Sequence, residues 1–151
     1  MWQNLLRMLS NEPEKSEITG DEAIATILVR AAKTDDTYTK SEQELIEKLL
    51  SKQMHFDTIQ AGRLRIRGEI LEKEINDDVQ LTKIIKEDVP YENRQELIQQ
   101  LWQIILDDDI RTPEENKLMR VLTHLLGVSD VQSAKARSKA VGLKEKKNEQ
   151  V

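Results

Sequence analysis

Cysteine is absent from this 151-residue chain. That removes disulfides, thiolate metal sites and cysteine nucleophiles together, and it fits a cytoplasmic protein. Glycine and proline number only five and three, and aromatic residues make up 3%. A chain so poor in these and so rich in Leu, Ile, Glu, Lys and Gln leans helical, because unbranched side chains lose little rotamer freedom in a helix. There is no excess of positive charge. A formal net charge of −5 argues against a nucleic-acid binder, which needs a basic surface to displace counterions. No apolar run approaches the roughly 20 residues of a membrane-spanning helix. Also missing are a nucleophile elbow, a phosphate-binding glycine loop and a His-Glu metal helix, so no enzyme is expected.

What is present is helical periodicity, and at this length one domain with one core is expected. Residues 1–19 read as an N-terminal segment and linker. Trp2, Leu5, Leu6 and Leu9 stand at helical spacing in a stretch too short and polar for a secretory signal, and a polar, Pro-containing run follows over 10–16. Apolar stripes and capping signals predict helices near 20–34, 41–55, 58–76, 79–87, 92–107, 113–126 and 129–141. Ile24, Ile27, Leu28, Ala31 and Ala32 form the first stripe, and Leu118, Val121, Leu122, Leu125 and Leu126 the sixth. In the third, Ile59, Ile66 and Ile70 share one side, with Leu64, Leu71 and Ile75 beside them. Residues 142–151 carry no apolar period and read as a disordered tail. The expected fold is all-α, a compact bundle of about seven helices over residues 20–141.

The chain aligns on itself under a shift of 72 positions: Asp35 falls on Asp107, Glu42 on Glu114, Val29 on Leu101, Ile46 on Leu118 and Leu50 on Leu122. The reading is an internal pseudo-twofold repeat of two helix–acidic turn–helix units. In each turn one apolar residue, Tyr38 or Ile110, sits in an otherwise polar loop. It can plug into the core and fix the angle between its two helices.

These turns resemble the signature of the TerB family of tellurite-resistance proteins: Asp-Gly, one residue, an apolar residue, three residues, then Glu, in two copies. Here they read Asp35-Asp36-Thr37-Tyr38 then Glu42, and Asp107-Asp108-Asp109-Ile110 then Glu114. The resemblance covers about Asp21 to Val141. The family's Gly is Asp in both copies, Asp36 and Asp108, where a left-handed backbone costs more than it does for Gly. The resemblance implies a seven-helix bundle without a defined catalytic activity, links to tellurite and general stress responses, kinship with domains of bacterial co-chaperones, and acidic turns that bind divalent metal.

Asp35, Glu42, Asp107 and Glu114 are accordingly the candidate metal ligands, with Asp36, Asp108 and Asp109 able to add oxygens. Calcium or a similar hard cation takes about six to eight oxygens, and clustered carboxylates supply them. The alternative is that the same acids end one helix and cap the next. Arg63, Arg65 and Arg67 could hold an acidic partner, or pair with the turns or with Glu69 and Glu72 one turn along. His55 and His124 each close a helix and receive no functional role. Trp102 is expected at the core edge, and Trp2 as a contact for a partner. Two functions stand side by side: a metal-responsive stress protein, and a metal-independent module that binds other proteins.

Overall fold

The computed structural model describes residues 17–107 and 112–149. The expectations for Trp2 to Leu9, for the linker 10–16 and for Ile110 fall outside those residues. Seven helices follow one another: α1 Gly20–Ala32, α2 Lys40–Met54, α3 Thr58–Glu74, α4 Asp78–Asp88, α5 Tyr91–Asp107, α6 Pro113–Leu125 and α7 Asp130–Glu149. No strand occurs among the described residues.

The starts of these helices are written in their caps. Thr19 with Glu22, Thr39 with Glu42, Asp57 with Gln60 and Thr112 with Glu115 form complete capping boxes. In each, the cap side chain accepts from the backbone N–H three residues on, and that residue's side chain accepts from the cap's own N–H. Pro113 stands at the first turn of α6, where its missing N–H costs nothing. Three helix ends are closed by bases from elsewhere. Arg30 donates to the Glu72 carbonyl (3.3 Å) and to that of Ile75 at the end of α3. Arg94 donates to Leu126 after α6 (2.8 Å), and Lys144 to Leu106 in the last turn of α5 (2.5 Å).

α1 is the centre of the bundle. Ala23, Ile24, Ala25, Ile27, Leu28, Val29, Ala31 and Ala32 are all buried. A helix apolar all round must be enclosed, and α2, α3, α4 and α5 touch it. The approach of α3 is closest. A Cβ built at Gly68 would stand 2.8 Å from the Ala25 carbonyl carbon, so only glycine allows the two backbones to meet there. α7 lies along α5, where the buried Trp102 donates to Ser133 Oγ (3.4 Å) and carries the Arg137 guanidinium over its ring.

Four sequence expectations need correction. The sides of α3 are opposed rather than adjacent: Leu71 is buried and Leu64 and Ile75 pack on the core, whereas Ile59, Ile66 and Ile70 face outward at 67, 49 and 44% exposure. α6 is rotated from its expected stripe, burying Glu115, Met119, Leu122 and Thr123 and exposing Val121. The residues after 141 are helical to Glu149 rather than a disordered tail.

The fourth correction concerns the shift between the halves. Every buried residue of α5 has a buried counterpart in α1 under an offset of 73, as from Ile24 to Leu97 and from Ala32 to Ile105. Thr39 and Thr112, Glu42 and Glu115, and Ile46 and Met119 keep the same offset. The expected 72 holds at the far ends of α2 and α6, where left-handed His55 and Gly127 follow the helices. α6 is one residue shorter between its cap and that stop, which is why a single gapless shift cannot serve both ends.

Candidate functional site

The first acidic turn joins α1 to α2. Lys33 caps α1, and its carbonyl accepts from the Asp36 N–H (3.2 Å). Asp36 itself stands at φ 63°, the left-handed position expected where the family signature has glycine. Asp35 Oδ1 accepts from the Thr37 N–H (3.2 Å), which bends the chain back toward Thr39. Glu42 then closes the capping box: its Oε1 accepts from Thr39 N–H (3.0 Å) and Oγ1 (3.1 Å). Tyr38 packs against the core as the plug it was expected to be. Burial, and then the Glu69 carboxylate, push its phenol well above the usual range.

The second turn lies close by. Burial raises the Glu42 carboxyl above its ordinary value, the Thr39 bonds work against this, and the carboxylates of Asp35 and Asp107 raise it further. Asp107 therefore faces Glu42 across the two turns, and three of the four expected ligands share one neighbourhood. Glu114 does not join them, since it lies exposed on α6. The role of Glu42 falls instead to Glu115, which is 3% exposed and whose Oε1 accepts from Thr112 N–H at 2.9 Å. Asp108, Asp109, Ile110 and Arg111 lie outside the described residues.

Do these oxygens fit a divalent ion? Glu42 and Glu115 each spend an oxygen on a cap, Asp35 spends one on its turn, and Lys147 Nζ approaches Asp107 Oδ1 at 3.9 Å. Among the described residues no three His, Asp or Glu side chains are grouped to hold a metal ion. The described carboxylates are arranged as caps rather than as a coordination shell.

The basic stretch is absorbed by ion pairs. Arg65 binds Glu47 (2.8 Å) and, one turn along, Glu69 (2.6 Å), and Arg67 binds Glu22 (2.7 Å). Arg63 is exposed and lies on the outer face of α3 between Ile59 and Ile66. Ile59, Arg63, Ile66, Ile70 and Lys73 follow one another at alternating spacings of four and three, which makes one continuous stripe. The sequence contained that stripe. What it did not reveal was that Leu64, Gly68 and Leu71 take the opposite side to the core.

The family model described as Tellurite resistance protein TerB matches residues 21–138. No curated protein and no solved structure matches the chain.

Proposed function

The chain belongs to the TerB family of tellurite resistance proteins, and from that premise we propose that it is a non-catalytic stress-response protein that works by binding another protein. It would act in the bacterial cytoplasm. No helix among the described residues is long and apolar enough to cross a membrane. The observation that carries the proposal is the outer face of α3. Three isoleucines on one stripe are exposed while the other face of the same helix is spent on the core. A helix apolar on both faces asks for a partner on each. Arg63 and Lys73 stand on the stripe, so the partner surface that fits is a helix with an apolar seam and acidic flanks.

Capture on the wild-type protein and on Ile66→Asp with Ile70→Asp, with the bound proteins identified by mass spectrometry, tests this. The expected result is a partner retained by the first and lost by the second, with its binding weakened by Arg63→Glu. An identical set on both would remove α3 from the function.

A second reading is favoured by one feature, the convergence of Asp35, Glu42 and Asp107. Carboxylates that repel one another attract a cation, and calcium or a similar ion is the family's expected ligand. Binding to the folded state would raise the melting temperature by mass action. That rise should disappear in Asp35→Ala with Asp107→Ala. No rise at millimolar calcium, magnesium, manganese or zinc would leave the interaction reading alone.

A further inference from the structure

The end of α5 runs against its own electrostatics. A helix C-terminus carries about half a negative charge, yet the last turn of α5 holds no basic residue. The chain then continues directly through Asp107, Asp108 and Asp109. α1, which leads into the other acidic turn, is differently equipped, with Arg30 in its last turn and Lys33 as its cap.

The missing positive charge comes from α7. Lys144 Nζ donates to the Leu106 carbonyl at 2.5 Å, and Lys147 Nζ lies 3.9 Å from Asp107 Oδ1. The two lysines are three residues apart and so share one face of α7, the face that reaches the end of α5. Arg30 and Arg94 also close the ends of neighbouring helices, but both come from the middle of the chain. Lys144 and Lys147 come from the end of the last helix. Lys147 is 73% exposed at its side chain, so solvent ions can reach its contact.

We propose that Lys144 and Lys147 are a tethered counter-cation for the second acidic turn, and that cations from solution compete with them for it. The end of α7, from Leu143 to Glu149, stays docked while the lysines hold the turn and comes free when another cation takes their place. This rests on the second reading above, that the turn attracts cations. It adds that the chain carries its own competitor. Lys147 is screened by salt over a Debye length of about 8 Å at physiological ionic strength, whereas the hydrogen bond from Lys144 to a helix-end carbonyl resists salt longer.

The full chain tests this with two readouts. Backbone amide relaxation by NMR reports the order of residues 143–149, and calorimetric titration with magnesium reports cation affinity. Lys144→Gln with Lys147→Gln should loosen 143–149 without any ion, and so should Asp107→Asn. The lysine variant should also bind magnesium about tenfold more tightly than the wild type, as removal of two competing charges requires. Magnesium added to the wild type should loosen 143–149.

Equal order of 143–149 in all three proteins would mean that the lysines hold nothing. Equal magnesium affinity with and without the lysines would overturn the competition and leave the cation reading intact. No binding by either protein would overturn both, even if relaxation shows the helix end docked.

Discussion

At the scale of single residues the acidic turns carry two costs that substitution can remove. Asp36 stands at φ 63°, a region that costs an L-residue with a Cβ about 1 kcal/mol or more. Asp36→Gly should therefore raise the stability to urea by about 1 kcal/mol, less what glycine adds to the entropy of the unfolded chain. Glu42 bears the second cost. Its folded pKa is raised, first by burial and then by Asp35 and Asp107, so the native state holds the proton more firmly than the unfolded state does. Stability from this group is present below its unfolded pKa and is lost as pH rises through the folded one. Glu42→Gln keeps the cap, since Gln also closes a capping box. The variant should match the wild type near pH 4 and become the more stable as pH approaches 7, read from melting temperatures across that range. A gap that closes with rising pH would give Glu42 the opposite sign. The sequence made Glu42 legible through its spacing from Asp35. Its counterpart was missed because counting seven residues from Asp107 lands on Glu114, whereas counting three from the cap Thr112 lands on Glu115. The cap is local and rigid, so it is the better ruler.

Among elements, what was legible followed from local chemistry and what was not depended on neighbours. Helix starts were readable because a capping box needs only four consecutive residues. The inward side of α3 was not, because isoleucines and leucines occupy both of its faces and periodicity cannot say which one meets α1. Gly68 settles that orientation. Its face meets Ala25 so closely that an added Cβ has only backbone to push against. Gly68→Ala should destabilise by about 1–2 kcal/mol, an overpacking cost of about 1–3 reduced by the better helix propensity of alanine. Gly142 is the control, with nothing within 4 Å of its Cβ position, and Gly142→Ala should stabilise by up to about 1 kcal/mol. Equal effects at the two sites in urea unfolding would mean that α1 and α3 do not approach as described. The helical end of α7 was hidden for a related reason. K-E-K-K has no apolar period, and the groups that hold it, Leu106 and Asp107, are distant in sequence.

In the whole molecule the apolar residues divide between a core around α1 and an outer stripe on α3, and this division separates folding from function. Leu28 and Leu101 are fully enclosed, so truncating either to alanine should cost about 2–5 kcal/mol, a large part of the stability of a domain this size. Ile66 is half exposed and is surrounded by solvent rather than by neighbours. Replacing it with lysine leaves no cavity, lies on the face turned away from α1, and keeps a residue of good helix propensity. Its effect on unfolding should stay within about 0.5 kcal/mol, as for ordinary surface positions. If the stripe were merely solvated surface, Ile66→Lys would change neither stability nor binding. If it is the partner face, the variant unfolds like the wild type in urea and loses its partner, a combination that no core substitution can produce. If Ile66→Lys instead costs as much as Leu28→Ala, the stripe is core, and the partner of this protein must be sought on another face.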